Sequence, residues 1–134
     1  MSAALALQEA SVVLHGRTVL RGITMEVGQS QFWGIAGPNG AGKSTLIKLL
    51  AGFVPLSSGQ VRVLGKDLAE WPLTELGRRV GYLPQHLFFD EGLPLSAREV
   101  ILIGRTGLRG LMRRRTRQDR EAAVRCAEEL GVEN

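Results

Sequence analysis

Cysteine is all but missing from this chain: among 134 residues only Cys126 is one. A disulfide framework and a cysteine-rich zinc site are thereby excluded. No apolar run approaches the roughly 18 residues of a membrane span, and the opening residues Met1 to Glu9 hold no basic stretch of the kind that begins a signal peptide. A reducing, cytosolic location is the expectation. Aromatic residues are scarce at 5%, yet 44% of residues are hydrophobic and 22% charged. That balance belongs to a globular domain, and the length allows one domain with a core of its own.

Acidic residues are thin where basic ones gather. Residues 98–125 carry nine arginines against Glu99, Asp119 and Glu121, a net +6 in a chain whose total is +4. A nucleic-acid track usually mixes aromatics among its cations, and this stretch has none. It reads as a solvated or partner-contacting face, and no nucleic-acid partner is expected.

The hydrophobic pattern gives the elements. Val12, Leu14, Val19, Ile23, Met25 and Val27 are interleaved with polar residues between Gly16 and Gly28, the period of half-buried strands. Phe32 to Ala36 is a short apolar run, which predicts a strand covered on both faces. A helix follows over Ser44–Ala51, with Gly52 as its stop. Val61–Leu64 reads as a strand and Gly65–Asp67 as a turn. Pro72 starts a helix to about Arg79, and Val80–Leu83 reads as another strand. Ser96 with Glu99, and Thr116 with Asp119, open two further helices as capping boxes. On the second, Ala123, Cys126, Ala127 and Leu130 fall on one apolar face, which makes Cys126 a small core residue.

One string carries chemistry. Gly37-Pro38-Asn39-Gly40-Ala41-Gly42-Lys43-Ser44 fits G-x-x-x-x-G-K-[ST], the phosphate-binding loop. Glycines let successive backbone N–H groups turn inward around an anion. The helix beginning near Gly42 adds its positive end and its unsatisfied donors. Lys43 would supply a point charge for the β- and γ-phosphates, and the Ser44 hydroxyl a ligand for Mg²⁺. The ligand expected of the loop is therefore a nucleoside triphosphate with Mg²⁺.

Extended to Thr45, this string resembles the Walker A motif of the ATP-binding-cassette family of transporter ATPases, and Gly81-Tyr82-Leu83-Pro84-Gln85 resembles that family's Q-loop. Ser58 to Leu68 also has the family's wording. The resemblance implies an α/β fold: a P-loop nucleotide-binding core, an N-terminal antiparallel β layer and the beginning of a helical subdomain. It implies that Gln85 contacts Mg²⁺ and the attacking water and links the ATP site to a membrane partner. Leu14 stands near the place where the family stacks an aromatic on adenine, with His15 beside it; His86 reads as a surface residue. Leu93 to Ala97, Val100 to Arg105 and Leu111 to Arg114 are most similar to importers of zinc, manganese or chelated iron, and siderophore and cobalamin importers share similar text.

The family's signature motif, Walker B glutamate, D-loop and switch histidine do not follow before Asn134. Leu56-Ser57-Ser58-Gly59-Gln60 imitates a signature and Leu87 to Glu91 a Walker B ending, and both read as loops. The expectation is an N-terminal part of one ATPase domain over 1–134, with β layer and core to about 89 and helical subdomain from about 90. In the parent protein it would bind and hydrolyse MgATP to power import of a metal ion or chelate. It would work as one of two ATPase subunits on the inner face of the membrane, through a permease. The 134 residues alone are expected to be inactive. A non-catalytic nucleotide-binding module, or a soluble P-loop ATPase acting on another macromolecule, is the alternative.

Overall fold

A computed structural model of the chain describes residues 3–85, 95–109 and 116–132, the side chains of 105–109 excepted. The chain divides into two compact units, Met1–Tyr82 and Leu83–Asn134.

The first unit is built on two 12-residue strands, β1 (Ala3–Leu14) and β2 (Arg17–Gly28), joined at a tight His15–Gly16 turn. Both turn residues have positive φ, 50° and 75°, as a two-residue hairpin of matching twist requires. The shorter β3 (Ser58–Val63) and β4 (Lys66–Asp67) complete a fully antiparallel sheet of order β2-β1-β3-β4. Leu5 faces Val27 and Val63, and Leu7 faces Met25 and Val61.

A bulge at Gln8–Glu9 interrupts β1. Glu9 adopts φ 48°, its N–H donates to Thr24 Oγ1 at 3.0 Å, and the Thr24 hydroxyl donates to Glu9 Oε1 at 3.1 Å. Left-handed backbone at such a residue costs about 1–2 kcal/mol. Without the bulge, strict alternation from Leu7 would turn Ala10, Val12 and Leu14 outward. Ala10 and Val12 are fully buried, and burying a valine alone is worth about 1.5–3 kcal/mol. The bulge wins, and one strand keeps a continuous inner face.

Helix α1 (Lys43–Leu50) lays Leu46, Leu49 and Leu50 on that face, and Leu76 of α2 (Leu73–Arg79) joins them. After α1 the Gly52 N–H donates to Leu49 O and the Phe53 N–H to Lys48 O, with Gly52 at φ 78°. This paired glycine termination satisfies two otherwise orphaned carbonyls. Between β4 and α2, Asp67 caps the single 3-10 turn Leu68–Glu70 through the Ala69 N–H at 3.0 Å and also accepts from Gln60 Nε2. These two hydrogen bonds, the first foremost, hold its carboxyl below the ordinary value of 3.8, with Arg62 assisting. A depressed carboxylate stabilises the fold above its unfolded pKa and loses that contribution as pH falls through the folded one. Asp67→Ala is expected to lower stability by about 1 kcal/mol at neutral pH. The deficit should vanish in urea titrations run well below pH 3.8.

Two expected strands are not formed. Phe32–Ala36 and Val80–Leu83 are without ladder pairing, and Phe32, Trp33 and Leu83 are 99%, 50% and 83% exposed. An isolated strand cannot satisfy its own backbone groups, and no strand among the described residues runs beside either segment.

In the second unit α3 (Ala97–Arg109) and α4 (Arg117–Glu129) pack on each other. Both expected capping boxes are present: Glu99 Oε2 accepts from the Ser96 N–H at 2.8 Å, and Asp119 Oδ2 from the Thr116 N–H at 2.9 Å. Ala123 and Ala127 are buried and Cys126 half-buried, but Leu130 is 68% exposed. Leu130 already caps the helix, and its side chain leaves the apolar stripe.

Candidate functional site

The loop expected to bind phosphate runs in the open from β2 toward α1, with residues 31–41 all exposed. Its entry is shaped by Gln31, whose Oε1 accepts from the Gly28 N–H at 2.7 Å and from Trp33 Nε1 at 3.1 Å. Ala41 N–H donates to Pro38 O at 3.3 Å, which folds Pro38, Asn39 and Gly40 into a turn. Gly40 and Gly42 have φ of 83° and 89°. At Gly42 an added Cβ would stand 2.8 Å from Leu20 Cδ2 and 3.0 Å from Val19 O. The last glycine of the motif is therefore needed twice, for its backbone and for the close crossing over β2.

Gly42 is also the N-cap of α1, and it offers no side-chain cap; no acidic residue stands in the first turn. The first intrahelical bond is Leu46 N–H to Gly42 O at 2.9 Å. The amides of Lys43, Ser44 and Thr45 precede it and have no intrahelical acceptor. Lys43 reaches back over the loop, its Nζ donating to Gly37 O at 2.8 Å and Pro38 O at 2.7 Å. Ser44 is exposed and Thr45 half-buried. A cation, a row of outward amides and a hydroxyl thus meet at the positive end of a helix, an arrangement that favours an anion.

Residues 37–45 are brought together by this turn. Gln85 is exposed at the start of the second unit. Leu14 is half-buried against the core of the sheet, and His15 is exposed in the hairpin turn. Leu56–Gln60 opens no helix: Ser57 N–H donates to Ser11 O, Ser57 Oγ accepts from the Val13 N–H, and the chain enters β3. His86, Leu87 to Glu91, Leu93 and Leu111 to Arg115 lie outside the described residues. No group of three His, Cys, Asp or Glu suited to a metal occurs among the described residues. Among them, too, no helix is long and apolar enough to cross a membrane.

The sequence alone does not show that Lys43 ties its own loop or that Leu20 props Gly42. The one signal available was the third glycine of the motif.

An antiparallel sheet, a glycine-rich turn and a helix started by Lys43, followed by a helical pair, are the α/β arrangement expected of the N-terminal part of a P-loop domain. The chain belongs to the ABC transporter family, whose profile matches residues 20–134. It is 39% identical over 126 residues to the manganese transport system ATP-binding protein MntB of Bacillus subtilis, covering 94% of this chain and 48% of that protein. It is 44% identical over 92 residues to the hemin import ATP-binding protein HmuV of Methylobacillus flagellatus, covering 69% and 34%. The inward-facing structure of a metal-chelate type ABC transporter has the same fold, with TM-score 0.72, 20% identity and coverage of 99% of this chain and 46% of that one. The chain spans about half the length, or less, of the curated relatives it matches.

Proposed function

We propose that this chain is the nucleotide-holding part of a transporter ATPase, binding MgATP at Gly37, Pro38, Asn39, Gly40, Ala41, Gly42, Lys43, Ser44 and Thr45. The observation that carries the reading is the uncapped, acid-free start of α1 beneath the Lys43 ammonium. The loop amides and Lys43 would bind the phosphates, and Ser44 and Gln85 would hold Mg²⁺. When bound, MgATP supplies the phosphoryl group and a divalent charge that offsets charge building up on it.

The whole protein would hydrolyse ATP to drive import of a metal ion or chelate. Similarity to manganese and hemin ATP-binding proteins supports that substrate class. Siderophore- or cobalamin-type cargo is the second reading. Its partners would be a second ATPase subunit and a permease that holds it at the cytoplasmic face of the membrane. Residues to about 89 would serve as β layer and core, and those from about 90 as the start of a helical subdomain.

Calorimetry with MgATP, and with ATP plus a chelator, tests the site. Wild type should bind MgATP more tightly, and Ser44→Ala should erase most of the difference between the two titrations. Equal affinity of wild type with and without Mg²⁺ would refute the role of Ser44. Within these 134 residues no catalytic glutamate is assigned, and losing one preorganised group in such a site costs about 10²–10³ in rate. Phosphate release by the chain should stay at the level of a Lys43→Ala control.

A further inference from the structure

The first unit has a polar hollow on the face of its sheet turned away from the core. It holds about 290 Å³, with Ala3 and Ala6 on its floor and Gln8, Glu26, Gln60 and Arg62 around it. Ala6 pairs with Glu26 of β2 on one side and with Arg62 of β3 on the other. Residues directly opposite each other share a face, so the three stand in one row across the sheet. Gln8 and Gln60 form the next pair on that face. The single methyl group of Ala6 leaves a gap between an acid and a base that a longer side chain would close.

Glu26 and Arg62 are exposed and make no ion pair among the described residues. Adjacent strands run about 4.8 Å apart, so across β1 the two backbones are separated by roughly 10 Å. Asp67, opposite Arg62 on β4, is already held by the Ala69 N–H and by Gln60 Nε2 at 3.0 Å each. Gln60 is thereby anchored, and its Oε1 is left to accept.

The two signs choose the ligand. Glu26 would repel a phosphate or a lone carboxylate, and Arg62 would repel a metal ion or a simple amine. A molecule carrying both charges satisfies both residues. In an α-amino acid the ammonium nitrogen and carboxylate oxygens lie about 3 Å apart. A charge-assisted bond of about 2.8 Å at each end extends that span to about 9 Å, close to the two-strand gap. The guanidinium fork takes a carboxylate in two parallel bonds, and glutamine carbonyl oxygens take the remaining N–H groups of an ammonium. We propose that this hollow binds a free α-amino acid, its ammonium on Glu26 and its carboxylate on Arg62.

The test is a titration of the whole chain with alanine, followed by the NMR shifts of its backbone amides. N-acetylalanine, which lacks the ammonium, and alaninamide, which lacks the carboxylate, serve as competing probes. So do inorganic phosphate and 6-aminohexanoate, whose charges lie too far apart to fit. Alanine should bind at millimolar concentration and shift the amides around Ala6, at least about tenfold more tightly than either one-charge derivative. Glu26→Gln and Arg62→Gln should each weaken it by about tenfold, the loss of one charge-assisted contact. The exchanged variant Glu26→Arg/Arg62→Glu should recover binding, because a zwitterion can turn around, a gain that misfolding could not produce. No alanine binding, equal binding of N-acetylalanine or alaninamide, or no recovery in the exchanged variant would overturn the proposal. So would tighter binding of 6-aminohexanoate, or of phosphate in a manner that Arg62→Gln abolishes.

Discussion

Lys43→Ala is expected to remove most MgATP binding, weakening it by at least about ten- to a hundredfold. A hydrogen bond from a charged group contributes about 1.5–3 kcal/mol, and this ammonium has two duties. It would face the phosphates, and it also joins Gly37 O and Pro38 O across the base of the loop. Truncation therefore removes the charge and frees the turn that aims the amides. The fold should survive, because neither carbonyl belongs to the core. Lys48→Ala is the matched control: it deletes an exposed charge in the last turn of the same helix. Calorimetry should show the loss for Lys43 alone. An equal loss from Lys48→Ala would reduce the effect to net charge and sink the phosphate-loop assignment.

Gly59→Ala should damage the fold more than any other single methyl added to the sheet. Gly59 has φ 87°, and a Cβ on it would overlap the Glu9 carbonyl on β1, with Gln8 O close behind. The obstacle is backbone, and it sits at the bulge, so neither strand can yield without losing ladder pairs. Left-handed strain of about 1–2 kcal/mol adds to an overpacking term of about 1–3 kcal/mol. The sum is on the order of 3 kcal/mol, a large share of the roughly 5–15 kcal/mol that holds a domain together. Gly65→Ala separates the two terms, because Gly65 has φ 79° and nothing within 4 Å of the added carbon. Urea midpoints should fall for both variants and much further for Gly59→Ala. Equal falls would mean that conformation, not contact, decides.

The same two glycines show what was legible in the sequence. Gly65 lies in a turn between alternating strands, and its neighbours announced it. Gly59 sits in a stretch that imitates a signature motif, and only the facing strand reveals why it lacks a side chain. Local chemistry carried the reading well: both capping boxes, the stop at Gly52 and the loop from Gly37 to Ser44 depend on residues a few positions apart. Non-local pairing did not. Phe32–Ala36 has the composition of a buried strand, but composition cannot supply the neighbouring strand that would bury it. The bulge at Glu9 was hidden for a related reason, since a shift in alternation becomes visible only against the partner strand. At the site, the motif indicated which residue types gather, whereas the contacts of Gly42 with Val19 and Leu20 arise from an element more than twenty residues earlier.

The Lys43 bridge also bears on the heat of binding. With two of its three N–H groups the ammonium holds carbonyl oxygens at 2.8 and 2.7 Å. A phosphate oxygen would take the third, adding a charge-assisted contact while the loop carbonyls keep theirs. Part of the ordering that binding demands is thus already in place, so the entropy lost on association, read by calorimetry, should be small.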